Sequence, residues 1–215
     1  MKCLYKVVDL SHHNGAVDFC NLINKGIGGV ILKCGGSETS DGHTYEDKLF
    51  QDYYTKAKLH GLRVGAYYFG VGSSTAKGSE DAIRCRELLK NKQFDLPVFL
   101  DYETSKGTGS TNTKNNKKGN TDYVVSFCHT LEKFGFFVGV YASDISGFKD
   151  MLELERLYPF AWWVARYGKY PEYATRNLQL WQYTSTDDTL TLSGRCDVSE
   201  CYVNYNFLRG GFNGY

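Results

Sequence analysis

No stretch of the chain is apolar for anything near the roughly 18 residues that a helical membrane span requires, so membrane insertion is not expected. Charge of one sign is also missing. Lys and Arg number 25 against 24 Asp and Glu, and the only cluster of lysines lies at residues 114–118. Without a basic face the chain lacks the electrostatic footprint of a nucleic-acid binder, and no nucleic acid is expected as a partner. The seven cysteines (Cys3, Cys20, Cys34, Cys85, Cys128, Cys196, Cys201) contain no C-x-x-C pair, which argues against zinc-ribbon and dithiol chemistry. They read as reduced thiols, with Cys34, Cys85 and Cys128 acting as small hydrophobes in apolar patterns and a Cys196 to Cys201 bridge as the one pairing left open. A signal-peptide core is missing as well: Met1-Lys2-Cys3-Leu4-Tyr5-Lys6 leads straight into a strand, and synthesis without Sec export is expected.

What is present is a globular composition, 42% hydrophobic and 23% charged, with 17 Tyr, 13 Phe and 3 Trp over 215 residues. One domain with a well-buried core is expected. The most informative stretch is Pro97-Val98-Phe99-Leu100-Asp101-Tyr102-Glu103, an apolar run that ends in two carboxylates. A strand buried on both faces reads this way. Alternation puts Phe99, Asp101 and Glu103 on one face and Leu100 and Tyr102 on the other, the two acids about 6.6 Å apart at Cα. Isolated Asp-x-Glu pairs are usually solvated strand ends, but acids closing a buried strand are where α/β enzymes place chemistry.

The chain alternates around that strand. Lys6-Val7-Val8-Asp9-Leu10 predicts a first strand with an acid near its end, followed by a turn over residues 11–15. His12 and His13 carry no metal site, since adjacent side chains are expected to point apart and no third ligand has suitable spacing; neither metal nor cofactor is expected. Next come a helix at 18–25 closed by Gly26 and a strand at 29–34 that ends in a loop at Gly35-Gly36-Ser37. A helix at 45–60, a strand at 63–69 and a helix capped by Ser79 and running to about residue 92 complete the first half. Beyond the acid-bearing strand, the polar, Gly-rich residues 104–119 predict a loop at the site's rim. A helix capped by Asn120 or Thr121, a fifth strand at 136–141 and a short helix at 148–156 follow. Strands six and seven, at 161–165 and 178–183, are joined by a short loop; a turn signal at 185–188 then precedes a brief eighth strand at 194–198 carrying Asp197.

Eight strands with helices in the first five connections predict a closed α/β fold. The expectation is a modified TIM-like (β/α) barrel, mostly parallel, with fewer than eight helices, because the chain is short of the ~250 residues usual for the full form. Closure sets strand eight beside strand one and brings Asp9 and Asp197 opposite Asp101 and Glu103 at the mouth. Such acids suit hard cations, glycoside hydrolysis or plain hydrogen bonding to loops. Tyr67, Tyr141, Trp163 and Trp181 favour sugar, although each alone reads equally well as packing.

Val8-Asp9-Leu10-Ser11, Gly29-Val30-Ile31-Leu32-Lys33, Val64-Gly65-Ala66-Tyr67, residues 97–103, Gly139-Val140-Tyr141, Trp163-Val164-Ala165-Arg166, Trp181-Gln182-Tyr183 and Asp197-Val198 resemble, in order, the strand motifs of the glycoside hydrolase family 25 lysozymes. The resemblance implies an N-acetylmuramidase that cleaves the β-1,4 bond between N-acetylmuramic acid and N-acetylglucosamine in bacterial peptidoglycan. It implies Glu103 as general acid, Asp101 as the group that orients or stabilises a substrate 2-acetamido group, and Asp9 and Asp197 as the rest of an acidic cup. Tyr67, Tyr141, Trp163, Arg166, Trp181 and Gln182 are the implied sugar-binding residues. One departure is Tyr67-Tyr68-Phe69 where the family often has Tyr-His-Phe, expected to remove a neighbour that tunes subsite polarity. Phage endolysins are frequent members, so residues 1–208 are expected to be a catalytic barrel made in a host cytoplasm and acting on the wall after release; a bacterial autolysin exported unconventionally fits the missing signal peptide equally. Residues 209–215 would be a tail or the start of a linker to a wall-binding module. The alternatives are a non-catalytic glycan-binding barrel and a chitinase-like glycosidase.

Overall fold

The computed structural model describes residues 1–37, 44–104, 111–191 and 194–210. Eight strands close a barrel: β1 (Tyr5–Leu10), β2 (Ile27–Ser37), β4 (Arg63–Gly70), β5 (Val98–Tyr102), β6 (Val138–Ser143), β7 (Ala161–Ala165), β8 (Leu178–Thr191) and β9 (Gly194–Cys201). The first seven run parallel, and β9 lies antiparallel to both β8 and β1, which makes the closure. A short β3 (Thr44–Glu46) pairs antiparallel with the end of β2, outside the ring. Helices α1 (Phe19–Asn24), α2 (Phe50–Leu59), α3 (Thr75–Leu88) and α4 (Lys117–Lys133) serve the first connections, and only short turns of helix serve the later ones.

Strand alternation divides the apolar residues into two cores. Val7, Ile31, Phe99, Trp163 and Leu180 fill the barrel, whose lower end is plugged by Leu96, Tyr205 and Leu208. Val8, Leu32, Ala66, Leu100, Val140 and Val164 face outward against helix residues such as Phe50, Ala82 and Phe127. Both faces of β5 are therefore covered, which is why it reads as a continuous apolar run.

Several local expectations are corrected. β2 does not stop at Cys34 but continues through Gly35-Gly36-Ser37, and Tyr45 belongs to β3 rather than to a helix. The two glycines permit this hairpin: a Cβ on Gly35 would stand 2.1 Å from the carbonyl oxygen of Tyr45. Helix α3 begins four residues before Ser79, with Ser74 as its cap accepting from Lys77 N–H. Gly78 sits inside α3 where α4 packs against it, and a Cβ there would lie 2.3 Å from the carbonyl of Tyr123. Ser79 instead meets Ser126 of α4 at 2.7 Å. Asn116 caps α4, while Asn120 is buried within it and donates to the carbonyls of Thr113 and Met151. The helix expected at 148–156 is two short turns, Asp144–Lys149 and Leu154–Leu157. The polar residues 185–188 are strand, part of a long β8 whose pairing with β9 is broken by bulges.

The cysteines are free thiols. Cys196 faces the outer core and Cys201 the barrel interior, an odd separation along one strand that holds them about 17 Å apart, so no bridge joins them. Cys34 and Cys85 approach to 3.9 Å between sulfurs, but both are fully buried, and burial raises the Cys85 pKa further from reactivity. The melting temperature is therefore expected to stay within about 1 °C with and without dithiothreitol. A fall of several degrees in reductant would show that a disulfide forms in solution, against this reading of the thiols.

Candidate active site

The parallel strands point their carboxyl ends at one mouth, and the inward positions there are acidic. A pocket of about 170 Å³ is lined by Asp9, Tyr67, Asp101, Glu103, Tyr141, Trp163 and Asp197. Asp9 and Asp197 are register partners across the β1–β9 seam, because the reversed direction of β9 carries its Asp back to the mouth. Gln182, on β8 and 1% exposed, ties them together. Its Nε2 donates to Asp9 Oδ2 at 2.9 Å and Asp197 Oδ2 at 3.2 Å, while Oε1 accepts from Tyr141 at 2.8 Å and Tyr167 at 3.1 Å. With both ends of the amide engaged, its orientation and the spacing of the two acids are set.

Four carboxylates in so small a pocket cannot all ionise at their ordinary pKa. Burial, and then the charge of Glu103, raise Asp101 well above the usual range, with Lys33 opposing. Burial, and then Asp197, do the same to Asp9 against the Gln182 hydrogen bond. Burial also raises Asp197. Glu103 is reachable by solvent yet hemmed in by protein, and that partial desolvation raises its pKa, opposed by the Tyr141 hydroxyl beside it and by the charge of Lys33. Asp101 Oδ1 has no hydrogen-bond partner among the described residues. The arrangement holds protonated and ionised carboxyls side by side, as acid catalysis next to a developing cation requires. Lys33 places a cation at this rim, its Nζ 5.2 to 5.9 Å from the ring centres of Phe69, Tyr45 and Tyr67.

A second cavity of about 400 Å³ adjoins the first across Glu103, which lines both. Its walls are the turn after β6, with Ser143, Asp144, Ile145, Ser146 and Gly147, and the segment after β7, with Arg166 and Tyr167. Asp144 joins the two walls. It accepts from the N–H groups of Ala174 at 2.7 Å, Glu172 at 2.9 Å and Tyr173 at 3.1 Å, and from the Arg166 guanidinium. Burial opposes its charge, but these donors outweigh burial and hold the Asp144 pKa below the usual value. Asp144→Ala is expected to remove about 2–4 kcal/mol of stability, because it strands three backbone donors and leaves the Arg166 guanidinium with Glu172 as its remaining carboxylate partner. Urea midpoints of the two proteins measure it.

Of the residues singled out in the sequence, Asp9, Asp101, Glu103, Asp197, Tyr67, Tyr141 and Trp163 line the acid pocket and Gln182 joins them. Trp163 is floor rather than open platform: it is 2% exposed, packed on Tyr141 and Phe99, and its Nε1 donates to Ser199. Arg166 lies in the second cavity with its guanidinium held by Asp144 and Glu172. Trp181 is not brought to either cavity: it faces outward from β8, beside Tyr170 and Tyr183, and donates to the carbonyl of Arg166. Tyr68 also faces outward, against Phe127, so the departure from Tyr-His-Phe does not touch pocket polarity. His12 and His13 do not point apart; in a 3₁₀ turn their rings lie 3.9 Å from each other, and His12 Nδ1 meets Asp47 at 2.7 Å. Tyr167, Ile145 and Asp144 were not visible in the sequence. Their only signal is position, just beyond the carboxyl ends of β6 and β7.

A barrel mouth with several carboxyls of raised pKa, aromatic walls and an adjoining second cavity defines a glycosidase-like site. Comparison makes the class specific. The model of glycosyl hydrolases family 25 matches residues 8–191, and the chain belongs to that family. It is 24% identical over 195 residues to the autolytic lysozyme of Clostridium acetobutylicum, covering 91% of this chain and 55% of that protein, so it spans about half the length of that relative. The crystal structure of the CTP1L endolysin superposes with a TM-score of 0.80 at 27% identity, over 96% of this chain and 70% of the other. A family 25 glycosyl hydrolase from Bacillus anthracis shares the fold at a TM-score of 0.72 and 23% identity, over 98% and 94% of the two chains.

Proposed function

We propose that this chain is the catalytic barrel of a peptidoglycan hydrolase, an N-acetylmuramidase that cleaves between N-acetylmuramic acid and N-acetylglucosamine in the manner of a bacteriophage endolysin. The observation that carries the reading is the placement of Glu103 between an acid-lined pocket and a wider cavity in a family 25 barrel. Glu103 donates the proton to the leaving glycosidic oxygen. Asp101, ionised, orients and stabilises the 2-acetamido group as positive charge grows at C1, and Asp9 and Asp197, held by Gln182, complete the negative wall. The relatives named above as an endolysin and an autolytic lysozyme support a wall substrate. On this reading the enzyme reaches the wall from a host cytoplasm after release and lyses cells to which it is applied.

Turbidity loss of purified walls, followed by identification of the new reducing ends, tests this. A muramidase leaves reducing N-acetylmuramic acid. Reducing N-acetylglucosamine, cleavage of chitin oligosaccharides alone, or glycan binding without turnover would each replace the reading with another.

A further inference from the structure

We propose that Lys33 is a positioning residue for charge at the acid pocket: held off the carboxylates by a collar of three aromatic rings, it supplies the positive field under which Asp101 ionises beside a protonated Glu103. This rests on the muramidase reading and adds the group that sets the division of protons on which that reading depends.

Strand register puts Lys33 at the mouth. Ile31 faces into the barrel and is the neighbour of Asp9 across the β1–β2 pair, so Lys33, two residues on, faces inward one step nearer the mouth. Across the β2–β4 pair its neighbour is Tyr67, which lines the acid pocket. Phe69, two residues beyond Tyr67, is the register partner of Asp101. The Lys33 Nζ lies 5.2 Å from the ring centre of Phe69, 5.5 Å from that of Tyr45 on β3 and 5.9 Å from that of Tyr67. Electron-rich ring faces make a favourable seat for an ammonium group. Among the described residues no carboxylate lies within ion-pairing distance of that Nζ, and Asp101 Oδ1 has no hydrogen-bond partner. A lysine bonded directly to Asp101 would cover the charge that has to face the cation growing at C1. One seated beyond contact lowers the cost of ionisation and leaves the carboxylate open.

The surrounding charges give that cation its work. Burial is the largest obstacle to ionising Asp101; Glu103 on its own side of the pocket, Asp9 on β1 and Asp197 on β9 add to it, and Lys33 acts against them. Burial also raises Glu103, which faces the Tyr141 hydroxyl of β6 and Asp197, and Lys33 lowers it too. The pocket groups of β7 and β8, Trp163 and Gln182, are uncharged. In the turn after β1, His13 is lowered by burial, by His12 and by Lys33, while His12 is bonded to Asp47. Since Lys33 favours the ionised form of both acids, its removal raises both. The working form needs Asp101 ionised and Glu103 protonated, so the whole range of pH in which it exists moves upward.

The test compares Lys33→Met, which removes the charge and keeps most of the side chain, with Lys33→Arg, which keeps the charge. On purified walls, both limbs of the Lys33→Met pH profile of kcat/KM are expected to move to higher pH by at least about half a unit, a loss of about threefold in rate along the acid-side limb. In Lys33→Arg the limbs should stay within about 0.2 unit of the parent's, because arginine is always charged. Carboxyl carbon chemical shifts of Asp101 and Glu103, titrated by NMR, read the same displacement without turnover, and the histidine ring signals in those spectra separate any change at His12 or His13. Melting curves establish that each variant folds, and Lys33→Gln repeats the comparison with a second neutral side chain. Lower activity with unmoved limbs would make Lys33 a packing residue and overturn the proposal, as would limbs that move equally in Lys33→Arg. If the carboxyl signals move as expected but the parent leaves walls intact, the muramidase reading falls and Lys33 keeps its place as a cation that sets the pocket's charge.

Discussion

Glu103→Gln is expected to lower wall lysis by about 10²–10⁴-fold while the barrel stays folded. Glutamine keeps the shape and removes the transferable proton, and Glu103 lies at the solvent-reachable junction of two cavities, so the core is undisturbed. Two further readouts tie the loss to proton donation. The first is the pH profile. A general acid works only while protonated, so activity falls as pH rises through the Glu103 pKa; because burial raises that pKa, the fall comes at higher pH than for an ordinary glutamic acid. In Glu103→Gln that limb should be missing from the residual activity. The second is the substrate. An activated aryl glycoside needs no protonation of its leaving group, so Glu103→Gln should recover much of its rate there. Wall lysis within tenfold of the parent, or no recovery on the aryl glycoside, would take the acid role away from Glu103.

Alternation along strands made most of this site legible. Asp101 and Glu103 fall on the same face as Phe99, and the structure places Phe99 inside the barrel. Asp9 follows from Val7 in the same way, and Asp197 from closure of strand eight onto strand one. Where the reading failed, it lacked knowledge of which face an aromatic residue would take. Trp181 and Tyr68 each stand one residue out of phase with an inward neighbour, Gln182 and Tyr67, and so turn toward the outer core. Local polarity misled where tertiary contact overrode it. Residues 185–188 extend a strand because β9 pairs with that stretch of β8. Apart from Glu103 and Arg166, the second cavity had no sequence signature, since Asp144 joins residues 22 to 30 positions away through backbone N–H groups and one arginine.

Asp101→Asn separates catalysis from stability and should move them in opposite directions. Wall lysis is expected to fall by about 10²–10³-fold, because the charge that stabilises the oxocarbenium-like state is lost. Unlike Glu103→Gln, this loss should persist on the aryl glycoside, where the cation at C1 still has to form. Stability should rise. Asp101 is 9% exposed, its Oδ1 has no partner among the described residues, and burial and Glu103 push its pKa well above that of a free carboxyl. A carboxyl whose pKa is higher in the folded state than in the unfolded chain favours folding fully only below the unfolded pKa. That contribution is lost as pH rises from the ordinary carboxylate range through the raised folded value. At pH 7 the parent therefore carries the cost of burying a poorly partnered carboxyl whose ionisation the fold opposes, about 1–3 kcal/mol for such a group. The neutral amide removes it, which corresponds to a rise in Tm of roughly 2–12 °C for a chain of this size. Near pH 4 the parent's Asp101 is already protonated when folded, and the gain should shrink toward zero. Melting curves of both proteins from pH 4 to pH 8 decide the matter. A variant that is less stable than the parent at pH 7, or a gain that does not change with pH, would mean that Asp101 is held by favourable contacts and is not the strained anion the site requires.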